Sequence, residues 1–299
     1  MSTEEQLTAV KKMQKFIKDN FHEELSLKRI SEAADYSPWY CAKIFKQFTG
    51  KTLFEYIRSL RLSEAALKLR DSDIKIIDVA FDFHFSSHEG FTRAFSKQFG
   101  ITPKTYSKKT PPIQLFIPYL VENTYTNCEK GENIMKENTN GKIKTVFVQV
   151  VDRDERKFIL KRGIKAKGYF EYCEEVSCEI WGILTSIKEA INEPMGVWLP
   201  EKMIKEGTSE YAQGVEVSKD FSGVIPEGFE IIELPKCKMM IFQGEPFDDA
   251  LFREAIQEVW DSIDKYNPEF YGFEWGRRRH TRFQLAPQGY RGYIEGKPV

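Results

Sequence analysis

Histidine and cysteine are scarce: the 299 residues include 4 His and 5 Cys. The cysteines, Cys41, Cys128, Cys173, Cys178 and Cys237, are odd in number and irregularly spaced. That pattern suits reduced thiols and not a disulfide framework. Cys173 and Cys178 lie five apart, with no CxxC pattern and no histidine-rich partner, which argues against zinc. His84 and His88 have i,i+4 spacing, but Phe85-Ser86-Ser87 should break a helix between them. No metal or other cofactor is expected. Long apolar runs are also missing: nothing approaches the roughly 18 residues that span a bilayer. Met1–Asn20 is charged and amphipathic, unlike a secretory leader. A cytoplasmic protein with no membrane partner is expected. No Ser-His-Asp set is evident, and the chain reads as a non-enzyme.

What is present divides unevenly. Residues 1–110 hold 19 Lys and Arg against 14 Asp and Glu, while residues 111–299 hold 25 against 31. A basic front half suits a polyanion and an acidic back half does not. The front half also repeats itself. In residues 27–56 and 77–106, Ile30, Tyr36 and Ser37 match Val79, Phe85 and Ser86 at an offset of 49. Lys43, Phe45, Gly50 and Tyr56 match Arg93, Phe95, Gly100 and Tyr106 at an offset of 50. Each copy reads as a short helix, a turn and a longer basic helix, which is a helix-turn-helix.

Helical periodicity and caps give the elements. Leu7, Val10, Met13, Phe16 and Ile17 put an amphipathic helix over 4–20. Ser26 caps a helix over Leu27–Ala34. Ser37-Pro38 opens a helix running through Phe48, because Ser caps and Pro fits the first turn. Thr52 opens a long helix to about Arg70. Ile74–Phe81 is the second short helix, Ser86 caps the next helix to Phe99, and Thr102-Pro103 starts a last one. The turns carry Asp35 and His84 where a left-handed residue is needed, and both types tolerate positive φ.

Residues 5–108 resemble the AraC/XylS family DNA-binding domain. The likeness rests on Ile77-Asp78-Val79-Ala80, Phe85-Ser86, the run Phe91 to Gly100, Thr102-Pro103 and Tyr106. It implies two recognition helices in successive major grooves of double-stranded DNA, held by the long helix at about one duplex turn, roughly 34 Å. Outward positions on the first helix are Trp39, Tyr40, Ala42, Lys43, Lys46 and Gln47; Cys41, Ile44, Phe45 and Phe48 face inward. On the second, His88, Glu89, Gly90, Thr92 and Arg93 face out, while Phe91, Ala94, Phe95 and Phe99 pack. Arg93 is the chief candidate for bidentate guanine contact, and Glu89 for cytosine N4. Ser37, Ser86 and Ser87 are placed to donate to phosphates. RNA polymerase is a further expected partner.

Beyond Thr110, residues 111–143 read as a linker. Within it Gln114–Val121 is an apolar run able to dock on a domain, and Asn123–Gly141 is an exposed loop. From 144 to 299 the periodicity changes to 2. Strands are expected around 146–150, 158–160, 196–199, 211–217, 229–234, 238–244, 270–275, 283–285 and 292–294. Helices are expected at Ser177–Asn192 and Asp248–Lys265. The order gives an α+β domain of two similar halves behind an all-α front domain. Two segments carry a second resemblance, Tyr211-Ala212-Gln213-Gly214-Val215-Glu216-Val217 and Ile225-Pro226-Glu227-Gly228-Phe229-Glu230. They are followed by Leu234-Pro235 and the strand Met239–Gly244. In that order they resemble the gyrase-inhibitor-like (GyrI-like) effector-binding domain, which implies a pocket between two pseudo-symmetric halves.

Large rings are dense here. Tyr169, Tyr172, Trp181, Trp198, Tyr211, Tyr271, Phe273 and Trp275 are candidates to line such a pocket. Aromatic faces with a carboxylate make a box for a lipophilic or cationic molecule. The candidate carboxylates are ranked Glu274, Glu175, Glu216 and then Glu295, with Glu274 on a strand between Phe273 and Trp275. The expectation is a transcriptional regulator whose back half binds a small effector. The alternatives for that half are a ring-opening hydrolase and a protein-interaction module.

Overall fold

The computed structural model describes residues 2–118, 145–276 and 279–299. The expected loop Asn123–Gly141 lies outside them. The chain forms two compact units, Met1–Ile134 and Met135–Val299.

The first unit is helical: α1 (Thr3–Asn20), α2 (Leu27–Ala34), α3 (Pro38–Thr49), α4 (Leu53–Asp71), α5 (Ile76–Asp82), α6 (His88–Phe99) and α7 (Pro103–Lys109). Side chains cap most N-termini, as the sequence indicates: Ser26, Ser37, Thr52 and Thr102 each accept from a backbone N–H three residues on. At α6 the cap is Ser87, not Ser86. The caps of α3 and α6 are therefore 50 apart, while the left-handed turn residues Asp35 (φ 61°) and His84 (φ 60°) are 49 apart. The extra residue of the second copy lies between turn and cap.

Helix α4 is shared by two cores. Leu53, Tyr56, Ile57 and Leu60 pack with Val10, Ile17, Ile30 and Phe45. Leu62, Ala65, Ala66 and Leu69 pack with Val79, Phe91, Phe95 and Tyr106. Each fully buried aliphatic or phenyl side chain contributes roughly 1.5–3 kcal/mol. Polar ties brace the shared helix α4: Arg61 Nε donates to Phe21 O at 3.0 Å, and Ser59 O accepts from Gln98 Nε2 of α6 at 3.3 Å. The expected linker start at residue 111 is corrected. Ile113 and Leu115 are buried in the second core, Phe116 packs on the first, and Phe116 N donates to Ser63 Oγ at 2.7 Å. The apolar face of this segment is what retains it.

The second unit is one antiparallel sheet with helices on one face. Its elements are β1 (Phe147–Arg153), β2 (Arg156–Arg162), α8 (Tyr169–Val176), α9 (Ile180–Ser186), β3 (Met195–Trp198), β4 (Tyr211–Ser218), β5 (Glu230–Leu234), β6 (Cys237–Gln243), α10 (Phe252–Lys265), β7 (Arg282–Leu285) and β8 (Ile294–Pro298). The strand order is β1-β6-β8-β7-β3-β4-β2-β5. Read outward from the central β7-β3 pair, β3-β4-β2-β5 and β7-β8-β6-β1 repeat one pattern, with helices between β2 and β3 in one half and between the matching β6 and β7 in the other. Strands β1 and β2 stand six places apart, about 29 Å in a flat sheet. Asp154 and Glu155 alone connect them, a reach of at most about 11 Å. The sheet must therefore curl, and Phe158, Leu160, Val197, Met239, Ile241 and Phe283 fill its inner face. On the outer face α8 and α9 cover Ile159, Tyr211 and Val215, and α10 covers Met240, Phe242 and Tyr293.

Three sequence expectations fail here. Within the expected helix Ser177–Asn192 only Ile180–Ser186 is helical, and a separate short helix, Tyr169–Val176, precedes it across the turn at Ser177, φ 86°. That turn returns Cys178 to Cys173, and the two form a disulfide with Cα atoms 4.9 Å apart, in place of free thiols. The strand over Phe270–Trp275 is a 3-10 turn, Pro268–Tyr271, ended by Gly272 at φ 76°, followed by loop.

Candidate DNA interface and candidate ligand cleft

In the helical unit, α3 buries Cys41, Ile44, Phe45 and Phe48 and leaves one face outward. Trp39 is 73% exposed, so it does not pack on the scaffold. Lys43 Nζ lies 5.7 Å from the Trp39 ring centre, which orients the amine beside the ring. Lys46 and Gln47 are exposed and Ala42 is half-buried. Tyr40 is turned partly inward, its hydroxyl accepting from Gln6 Nε2 of α1 at 2.9 Å. On α6, Phe91 and Phe95 are buried, Glu89 and Arg93 are exposed, and His88 and Thr92 are half-buried. Ser37 Oγ and Ser87 Oγ accept from Tyr40 N at 3.4 Å and Gly90 N at 3.0 Å. Gly90 has a packing reason: a Cβ there would stand 3.1 Å from the capping Ser87 Oγ. Ser86 is exposed and free of that duty. Two helix-turn-helix copies on one shared helix thus each present a basic, solvent-facing recognition helix.

In the second unit, residues far apart in sequence meet on the outer face. Register pairs Gln213 with Gly196, Gly196 with Gln284, and Gln284 with Glu295, forming one row across the middle of the sheet. Trp181 of α9 donates to Gln213 Oε1 at 2.5 Å at one end, and Trp260 of α10 donates to Glu295 Oε2 at 2.8 Å at the other. Between them Gln284 Nε2 donates to the Tyr211 hydroxyl at 2.7 Å, and the Tyr293 hydroxyl donates to Gln284 Oε1 at 3.0 Å. In the neighbouring row Trp198 pairs with Tyr211 and with Arg282. The Arg282 guanidinium lies 4.1 Å above the Trp198 ring centre, and its Nε donates to Glu295 Oε1 at 2.6 Å. Burial pushes the Tyr211 hydroxyl well above the ordinary tyrosine range; it does the same to Tyr293, aided by the Glu295 charge. Both hydroxyls stay protonated at neutral pH.

Of the candidates read from sequence, Trp181, Trp198 and Tyr211 join this cluster. Tyr172 packs edge-on to Tyr211 at 5.7 Å, and the Tyr169 hydroxyl stands 3.5 Å from the disulfide sulfur of Cys178. Glu175 binds its own loop, accepting from Ile164 N at 2.7 Å and Lys165 N at 2.8 Å. Burial would raise its pKa, but these N–H groups and that of Ala166 outweigh it and hold the carboxyl below its ordinary value. Glu216 is buried on the inner side of the sheet, bound by Arg153, by Arg156 Nε at 2.6 Å and by Asn192 Nδ2 at 2.6 Å. Glu274 is exposed in a loop, Tyr271 stacks on Tyr266 at 5.7 Å, and Phe273 and Trp275 pack beside α10. The carboxylate among the rings is Glu295, ranked last from sequence. Sequence reasoning does not find Arg282, Gln284, Tyr293 and Trp260, since cross-strand register gathers the first three and the packing of α10 on the sheet brings in the last.

Known proteins agree with the first unit. The helix-turn-helix domain family matches residues 30–109. The chain is 37% identical over 101 residues to the Transposon Tn10 TetD protein of Escherichia coli, covering 34% of this chain and 73% of that protein. It is 42% identical over 85 residues to the probable transcription factor PqrA of Proteus vulgaris, covering 28% and 70%. To the transcriptional regulator Rob of Salmonella typhimurium it is 36% identical over 108 residues, covering 33% of this chain and 37% of Rob. The chain thus spans well under half the length of that relative. The class is a helix-turn-helix transcription regulator. The chain belongs to the AraC family of such regulators.

Proposed function

We propose that the chain is a transcriptional regulator in which residues 2–118 bind double-stranded DNA through α3 and α6 and the α+β unit binds a small organic effector. The observation that carries the first half is the pairing of two recognition helices on α4, each with buried phenylalanines beneath and an open polar face. Trp39, Lys43 and Lys46 suit shape and phosphate contact, with Ser37, Tyr40, Ala42 and Gln47 alongside. Glu89, Thr92 and Arg93 suit base edges, with Ser86, Ser87 and His88 at the helix start. RNA polymerase remains a proposed partner. The relatives are transcription regulators, which fits a non-enzymatic role.

The second half is supported by the repeated halves of the sheet and the aromatic cluster at their junction, which fit a GyrI-like effector domain. An effector acts only through unequal affinity for the DNA-competent and incompetent states.

Selection of duplexes from a random-sequence pool tests the DNA reading. Wild type should enrich one motif, and Arg93→Ala should relax one base pair within it, a loss of about 1–3 kcal/mol of discrimination. Uniform weakening over all sequences would reject base reading by Arg93.

A further inference from the structure

The aromatic cluster already contains a cation. The Arg282 guanidinium occupies the place a cationic effector would take, with Trp198 beneath it at 4.1 Å and Glu295 beside it at 2.6 Å. Glu295 is fully buried and has little left to offer: Oε1 accepts from Arg282, and Oε2 accepts from Trp260 Nε1 at 2.8 Å and lies 3.2 Å from the Tyr293 hydroxyl, whose one proton it shares with Gln284 Oε1. A cationic ligand would have to displace a tethered guanidinium from a carboxylate that stays buried, and an unpaired buried charge is costly.

Donors, by contrast, are unspent. Arg282 uses only Nε on Glu295; among the described residues its two terminal nitrogens have no hydrogen-bond partner, and its side chain is 29% exposed. Gln213 is fully buried, and its Nε2 has no partner among the described residues while Oε1 is held by Trp181. The row from Gln213 to Gln284 passes through Gly196, which carries no side chain.

We propose that this cluster takes a hydrophobic organic carboxylate, its anionic head held by the terminal nitrogens of Arg282 and by Gln213 Nε2 and its apolar body against Trp198 and Trp181. The proposal rests on the sensing reading above and reverses the ligand charge expected from sequence. A guanidinium fork matches a carboxylate geometrically, and a ligand there adds bonds without breaking the Arg282–Glu295 pair.

Three probes of one shape and different charge test it on the full chain: 1-naphthaleneacetate, 1-naphthaleneacetamide and 1-naphthylmethylammonium. Tryptophan fluorescence and thermal shift read binding. The acetate should bind and raise the melting temperature, and the ammonium should not. Arg282→Gln should weaken the acetate by about tenfold or more, the loss of one charge-assisted hydrogen bond. The same variant should admit the ammonium, because Glu295 is then released. Arg282→Lys retains the charge without the fork and should be intermediate, which keeps the test alive if the glutamine variant fails to fold. Ammonium binding to wild type, or acetate binding indifferent to both variants, would overturn the carboxylate assignment and leave sensing intact. If no probe bound wild type or either variant, the sensing reading itself would fall.

Discussion

The Tyr211 hydroxyl lies against Gly196 of the neighbouring strand, so close that a methyl group on that glycine would overlap it. The same hydroxyl accepts from Gln284 Nε2, so it is pinned from two sides. Glycine at 196 is therefore needed for space and not for backbone freedom. Gly196→Ala should destabilise the α+β unit by about 1–3 kcal/mol, the usual range for overpacking. Tyr211→Phe removes the closest atom but strands the Gln284 donor, at about 1 kcal/mol. The double variant should cost less than the sum of the two. Urea denaturation of all four proteins measures the coupling; strict additivity would show that the two residues do not touch.

The turn of the first helix-turn-helix gives a prediction of opposite sign. Asp35 sits at φ 61°, and its one ion pair, with Lys12 at 3.4 Å, is exposed and contributes little. Asp35→Gly should be neutral or stabilise by up to about 1 kcal/mol, because glycine adopts this region without steric cost. Asp35→Val should destabilise by about 1–2 kcal/mol, since branching at Cβ makes the left-handed region worse. Thermal melts of both variants decide; a stable valine variant would refute the turn assignment.

How far the sequence discloses this molecule depends on how local each determinant is. In the helical unit, caps and apolar faces are encoded within a few residues, so α1 to α7 are legible from periodicity alone. A slip of one residue, Ser86 for Ser87, arises where two serines stand side by side and only the backbone decides between them. In the α+β unit the strands are legible but the aromatic cluster is not. Gln284 meets Glu295 through β7-β8 register and Trp198 meets Arg282 through β3-β7 register, and neither pairing has a local signature. Glu274 reads as a strand carboxylate because Phe273 and Trp275 flank it, yet Pro268 and Gly272 impose a tight turn.

Packing of residues 113–117 predicts the working boundary of the DNA-binding body. A chain ending at residue 110 loses Ile113, Leu115, Phe116 and the bond from Phe116 N to Ser63 Oγ. Removing two buried aliphatics and that bond should cost about 3 kcal/mol or more. A chain ending at 118 should melt cooperatively and bind duplex DNA with affinity falling steeply as salt rises. Equal stability of the two lengths would mean that the segment adds nothing to the core.

The same 118-residue body should lose stability in alkali through two tyrosines. Tyr56 and Tyr106 are buried, and burial is the first cause that pushes each pKa up to about 12; the hydrogen bond from Gln14 Nε2 at 3.2 Å offsets it slightly at Tyr56. In the unfolded chain a tyrosine releases its proton near pH 10. The folded state therefore binds more protons than the unfolded state between about pH 10 and 12. Stability is fully present below that window and falls through it, by about 1.4 kcal/mol per pH unit for each group at most. Urea unfolding at pH 9, 10 and 11 should show the decline, and Tyr56→Phe or Tyr106→Phe should each flatten it. At neutral pH the two variants should part. The Tyr106 hydroxyl has no hydrogen-bond partner among the described residues, so Tyr106→Phe should be neutral or stabilising. Tyr56→Phe removes the bond from Gln14 Nε2 and should cost about 1 kcal/mol. An alkaline slope unchanged in both variants would assign the loss to other groups.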